Sequence, residues 1–438
     1  MALFTPSASP AVTVKEIDLT GVVPNVQTST GAFVGNFGWG PVGVATLVSD
    51  ESGLVSTFSA PTDDNTVDFH SAAYFLRYSN SMYVVREQDS DGKNSVANHT
   101  SLGTLTAQTV NNLDAFEDLS IDSSDGAFIA KYPGSIGNSL KISIVGTDSA
   151  NGSSVNFNSW AYKDDFDGAP GTSSFVSALG GSNDEIHVAV IDEDGEISGT
   201  AGTVLETFPY LSVAKNAKAS DGSSNFFKEV LKIRSNWVYA GDFHLSGDSD
   251  GVDDFAHSTW GNNATTAGED FKTNQNFSNT QSTWSFKAGV TSSSLGTDDI
   301  LRGYDKFEDK DNIEVDFLIA PESLSNTAAT TIVNDLVSIA GTTRKDCVAV
   351  ASPSRNAVVT VGTNVGVLAN NNTYTKSSYL VQDNNYLKVF DKYNDKYIKI
   401  PAASSTAGLM AATDLVAAPW FSPAGSRRGR YQGITDII

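Results

Sequence analysis

A strand–helix–strand pattern in the last third of the chain most constrains the fold. Val315-Asp316-Phe317-Leu318-Ile319-Ala320 is an apolar run of the buried-strand type. Residues 327–340 follow, with Ile332, Val333, Leu336 and Ile339 on one helical face. Cys347-Val348-Ala349-Val350-Ala351 then returns to a strand pattern. This order predicts a right-handed parallel crossover. A similar order stands near the start. Residues 31–35 (GAFVG) read as a small-residue strand, and residues 82–86 (MYVVR) as another. Between them, Phe69, Ala72, Ala73 and Leu76 fall at i, i+3, i+4 and i+7 after Thr62-Asp63-Asp64, which predicts a helix. The chain therefore reads as containing an α/β layer.

Other segments read more locally. Gly38-Trp39-Gly40-Pro41 predicts a tight turn, and Ser49 or Asp50 a cap for a short helix carrying Leu54, Val55 and Phe58. Residues 89–125, rich in Ser, Thr, Asn and Asp, read as an exposed region or small insertion. Residues 140–145 predict a strand. Residues 186–191, Asp192-Glu193-Asp194-Gly195-Glu196 and then Ile197 predict a hairpin. Residues 225–234 predict a helix with Phe226, Phe227, Val230 and Ile233 as its apolar positions. Residues 241–300 read as polar loops with Trp260 and Trp284 as isolated anchors. Residues 386–390 and 397–400 predict a second hairpin, and Pro401 opens a small-residue helix over 402–413. At the start, Pro6 and Pro10 oppose helix, while Val12, Val14 and Ile17 stand apart among polar residues in nearly a strand pattern. A lone terminal strand must pair with something, either an edge of its own domain or another subunit.

The length of 438 residues is ample for sizeable cores. Charged residues make up 18%, below the roughly 25% of typical soluble domains. The formal net charge of −23 argues against a nucleic-acid grip spread over the surface, because phosphate binding needs a basic patch. Cys347 is the one cysteine, so no intrachain disulfide can form, and its apolar setting reads as a buried small hydrophobe. The first residues lack the basic and apolar regions of a signal peptide. No apolar run approaches the ~20 residues that span a bilayer.

Catalytic and metal signals are poor. His70, His99, His187, His244 and His257 are scattered, without the i, i+4 pairing of a zinc helix. His70 and His187 read as packing residues. Residues 246–251 vaguely resemble a calcium loop, but the twelfth position is His257 where a bidentate Glu is expected. No nucleophile elbow, Walker loop or dinucleotide fingerprint occurs. The reading is of a non-enzyme with no catalytic, cofactor or metal residues.

Near the end, Pro419-Trp420-Phe421-Ser422-Pro423 is a stiff aromatic turn, followed by Arg427, Arg428 and Arg430. This run suits docking better than chemistry. It is also one of eight segments which, taken in order, resemble the tail sheath proteins of contractile-tailed (myovirus) bacteriophages, including the T-even type. The others are 31–41 (GAFVGNFGWGP), 72–86 (AAYFLRYSNSMYVVR), 131–138 (KYPGSIGN), 197–206 (ISGTAGTVLE), 346–355 (DCVAVASPSR), 386–397 (YLKVFDKYNDKY) and 407–414 (AGLMAATD). The resemblance spans nearly the whole chain. There are two departures. The stretch from Arg86 to Tyr132 is short, so the large outer insertion of the T-even type is expected to be reduced or absent. Family members continue well past the final run, so the C-terminal part that completes the inner domain and supplies an arm is expected to be lacking.

The resemblance implies a mixed, multidomain α+β or α/β fold. A wound α/β inner domain is expected from residues 21–88 with 312–438, a β-rich outer domain from 89–311, and an extended N-terminal arm from 1–20. It implies a homo-oligomer of helically stacked six-fold rings around a tail tube, with baseplate and tail terminator proteins as further partners. No nucleic acid is bound directly, no membrane is entered and no cofactor is consumed, since contraction draws on energy stored at assembly. The expected place is the virion tail, after assembly in the host cytoplasm. Expected assembly contacts are Val12, Val14, Lys15, Glu16 and Ile17 in the arm, by β-augmentation, and Trp420, Arg427, Arg428 and Arg430 near the end. Two other readings stand beside this one: the sheath of a tailocin or secretion-type injection particle, and a carbohydrate-binding tail or adhesin module suggested by Trp260, Trp284 and the polar loops.

Overall fold

The computed structural model describes residues 29–97, 108–119, 126–146, 155–180, 184–241, 282–292, 294–425 and 428–438. Its fold is mixed α/β, sheets plus helices. The strand–helix–strand pattern is realised as the strand Phe317–Ile319, the helix Asn326–Ser338 and the strand Val348–Ala351, which lies parallel to the first. Ile332, Val333, Leu336 and Ile339 are all buried. These strands belong to a six-stranded sheet in the order Leu380–Gln382, Val348–Ala351, Phe317–Ile319, Gly31–Gly35, Met82–Arg86, Thr46–Val48. All neighbours are parallel except the last pair.

The two faces of this sheet are sorted by the strand period of two. Ala32, Val34 and Leu318 face the helices Thr297–Asp305 and Asn326–Ser338. Phe33, Met82, Val84 and Ile319 face Thr66–Leu76 and Ala403–Val416. Helices on both faces explain why the Gly31–Gly35 strand is buried throughout. Gly31 is required there, since a Cβ would stand 2.7 Å from the Phe75 ring. Asp50 caps the helix Glu51–Phe58 through the Gly53 amide at 2.6 Å.

A seven-stranded antiparallel sheet runs in the order Thr203–Ser212, Glu185–Asp192, Leu140–Gly146, Ser282–Lys287, Asn94–Ala97, Phe128–Pro133, Val238–Ala240. Three sequence readings change here. The segment read as exposed around residues 89–125 contains Asn94–Ala97, which is wholly buried. Its polar side chain is satisfied: Asn94 donates to the carbonyls of Val110 and Ala130 at 3.0 and 2.8 Å and accepts from the Val110 amide at 2.7 Å. The hairpin returns at Thr203, not at Ile197. The Asp192 carboxylate accepts from the amides of Gly195, Ile197 and Ser198, at 3.0, 3.0 and 2.7 Å, and so holds those residues out of the ladder. The 241–300 stretch read as loop contains the strand Ser282–Lys287, while residues 242–281, including Trp260, lie outside the described ones. In the helix Phe227–Arg234, Ile233 is exposed, and Phe227, Val230 and Leu231 are buried.

A third, antiparallel sheet joins Lys396–Pro401, Tyr386–Asp391 and Ile434–Ile437. Leu387, Val389, Ile398 and Ile400 form its buried face against Tyr74 of the Thr66–Leu76 helix. The small-residue helix expected over 402–413 spans Ala403–Val416.

Candidate assembly surfaces

Two joints set how these sheets present themselves. The first ties the parallel sheet to the seven-stranded sheet. The turn after Gly31–Gly35 carries Trp39 into the core of the seven-stranded sheet, with ring centroids 5.5 Å from Tyr132 and 5.2 Å from Trp237. Gly134 has φ +146, and a Cβ there would stand 2.6 Å from the Gly38 carbonyl, so the two backbones can meet only at glycine. Arg86 closes the joint. Its guanidinium is fully buried and donates to the carbonyls of Gly40 and Pro133 at 2.7 and 2.6 Å. Burial pushes its pKa down to about 9. Arg86→Met keeps much of the packing but strands two carbonyls, so it is expected to cost about 2–4 kcal/mol, read by urea denaturation. Beside it, the buried Glu87 pairs with Arg302 at 2.8 Å.

The second joint seats the three-stranded sheet on the parallel sheet and its helices. Asp391, at the end of its strand, accepts from Thr66 Oγ1 and Asn394 Nδ2, each at 2.7 Å, and from the Tyr393 amide at 2.9 Å. His70 Nε2 lies 3.1 Å away. Burial opposes ionisation of Asp391, but hydrogen bonds from Asn394, Thr66, His70 and Tyr393 hold its pKa well below the usual range. Burial lowers the pKa of His70 against the pull of Asp391. His70 and His187 are thus both buried packing residues, the latter with Nδ1 accepting from the Tyr210 amide at 3.0 Å. The segment before the last strand is clasped by tyrosines. Tyr74 donates to the Gly433 carbonyl at 2.7 Å, and Tyr78 accepts from the Gln432 amide at 2.6 Å.

Half-buried acidic residues gather near the carboxyl ends of the parallel strands. Burial pushes Asp68 up to about 7 against the Asn36 amide, which it meets at 2.8 Å. Burial likewise pushes Asp383 up to about 7. Glu322 is raised by burial even though Arg355 sits 2.7 Å away. A carboxyl whose folded pKa is raised binds its proton more tightly in the fold than in the unfolded chain. Its stabilising effect is therefore complete below the unfolded value of about 3.8 and is lost as pH rises towards about 7. For Asp383 alone the slope is at most about 1.4 kcal/mol per pH unit. Asp383→Asn is expected to remove that part of the fall in stability between about pH 5 and 7. Urea midpoints across this range check it, and an unchanged slope opposes the assignment.

The expected contact residues fall into two groups. Val12, Val14, Lys15, Glu16, Ile17 and Arg427 lie outside the described residues. Trp420 is 84% exposed, and Arg428 lies over the Phe421 ring at 5.0 Å. Arg430 is exposed. Leu415, Val416, Trp420 and Phe421 together leave an apolar surface at the end of the Ala403–Val416 helix. A groove of about 620 Å³ has Val358, Val359, Val367, Leu368 and Ile438 on its walls together with polar residues such as Thr363, Asn364 and Asn384. Sequence reasoning missed this groove and both joints. Among the described residues, no group of three or more His, Cys, Asp or Glu side chains is placed to hold a metal ion, and no helix is long and apolar enough to cross a membrane.

No family model matches the chain. Curated relatives do. The tail sheath protein of Vibrio phage KVP40 is 24% identical, with 98% of this chain and 77% of the relative covered. The tail sheath protein of Salmonella phage ViI is 27% identical, covering 98% and 74%, and that of Enterobacteria phage T4 is 26% identical, covering 98% and 76%. The chain is a homologue of the tail sheath proteins of T4-like myoviruses. Among solved structures, a sheath tail protein of Listeria innocua matches with TM-score 0.48 and 12% identity, over 94% of this chain. One of Desulfitobacterium hafniense matches with TM-score 0.43 and 11% identity, over 98%. The chain spans 61% and 66% of the length of these two proteins.

Proposed function

We propose that this chain is a structural subunit of a phage contractile tail sheath, which polymerises around the tail tube and contracts to drive it through the host envelope. Homology over 98% of the chain to three tail sheath proteins carries the reading. The proposed assembly is a helical stack of six-fold rings in the virion tail, formed in the host cytoplasm, with baseplate and terminator proteins at its ends. Its work is mechanical and needs no catalytic group. Within the subunit we assign residues 21–88 with 312–438 to a core domain, 89–311 to an outer domain and 1–20 to an arm, except that the helix Thr297–Asp305, expected in the outer domain, packs through Ile300 and Tyr304 on the parallel sheet and so goes with the core. The arm residues Val12, Val14, Lys15, Glu16 and Ile17 add a strand to a neighbour, which holds subunits together while their globular contacts change. Trp420, Arg427, Arg428 and Arg430 contact the tube or a neighbouring subunit. Relatives from three phages favour a phage over a tailocin or secretion particle. The glycan-binding alternative loses one of its two tryptophans, because Trp284 packs on the core 5.9 Å from Phe128.

Mixing the chain with the tail tube protein of its own phage is expected to move it into sedimenting particles. A chain that stays in the supernatant at every ratio would oppose the proposal.

A further inference from the structure

The outer face of the three-stranded sheet carries one pairing that opposes its own fold. Strand pairing sets Lys388 directly across from Lys399, and Phe390 across from Tyr397. Like charges directly opposite one another destabilise an antiparallel pair. The aromatic pair beside them is exposed, Phe390 by 43% and Tyr397 by 58%, with ring centroids 5.3 Å apart. Lys388 Nζ lies 5.0 Å above the Tyr397 ring. The two lysines nearer the turn are already engaged: Lys392 with Glu51 at 3.1 Å, and Lys396 with Asp63. Lys388 and Lys399 form no ion pair with a described residue. Across the sheet the row runs Lys399, Lys388, Asp436, so one carboxylate answers two ammonium groups. That carboxylate accepts from the Ile437 amide at 2.9 Å.

Exposed aromatics framed by cations in excess of their carboxylates mark a contact surface. We propose that this face docks on the acidic surface of a second copy of this chain. The reason is charge complementarity. The chain carries 51 Asp and Glu against 28 Lys and Arg, a formal net charge of −23, so a neighbouring copy is acidic on balance. Face-to-face contact would neutralise the Lys388/Lys399 repulsion and bury Phe390 and Tyr397 in one step. This inference rests on the assembly reading above, and it adds which face of the subunit meets its neighbour.

A photo-reactive phenylalanine analogue placed at Tyr397 in the full chain tests it. Irradiation is expected to give cross-links between copies that map to Asp/Glu-rich segments and weaken as salt is raised. Cross-links confined to one chain, or none, would overturn the inference. Lys399→Glu supplies a second readout. It replaces a repulsive cross-strand pair with an attractive one, so the fold should be as stable as before or more so. Self-association should nevertheless weaken by about tenfold or more. Undiminished association would overturn the inference. Normal tubes without cross-links between copies at position 397 would sink this inference and leave the sheath reading standing. Cross-links between copies without any tubes would do the reverse.

Discussion

Trp39→Ala is expected to lower the unfolding free energy by about 3–5 kcal/mol, a loss comparable to the whole margin of a weak domain. The side chain is 3% exposed and sits between Tyr132 and Trp237, so its removal leaves a cavity that neighbouring rings can only partly fill. The position matters as much as the volume. Trp39 belongs to a turn leaving the parallel sheet, yet its ring lies in the core of the seven-stranded sheet. The variant is therefore expected to uncouple the two sheets, giving two calorimetric transitions in place of one. A cost under about 1 kcal/mol with a single transition would contradict this account of the joint.

Deleting residues 1–18 is expected to abolish polymerisation while leaving the fold intact. Val12, Val14 and Ile17 carry a strand-like pattern with nothing next to them in sequence to pair with. The described part of the chain closes its cores without this segment, because Gly31–Gly35 already has parallel partners on both sides. The far-ultraviolet circular dichroism and melting midpoint should then match the intact chain, while sedimentation shows no particles. Normal polymers from the deleted chain would refute the role of the arm. Loss of the fold itself would show that the segment is an ordinary edge strand of its own domain.

Legibility in the sequence followed burial pattern. The crossover at 317–351 was readable from its apolar strands and helix face, and the hairpin at 386–401 from two short strands rich in aromatic and branched residues around a polar turn. Asn94–Ala97 was not, because Asn94 pays for its burial with hydrogen bonds to residues distant in the chain. Ser282–Lys287 did carry a signal: Trp284 and Phe286 alternate with polar residues at the strand period. The polar text around them hid it. The Trp39 joint was visible as a Gly-Trp-Gly-Pro turn, but nothing local says that its indole crosses into another sheet. Among the contact residues, the arginine strip was conspicuous as charge. The Lys388, Phe390, Tyr397 and Lys399 face was also present as a period-two pattern, yet its exposure depends on which side of the hairpin Tyr74 covers.

Whether this chain is a sheath subunit is tested most directly by electron microscopy of the purified protein. The account predicts striated hollow tubes. A monomer that binds glycans and never polymerises would contradict it.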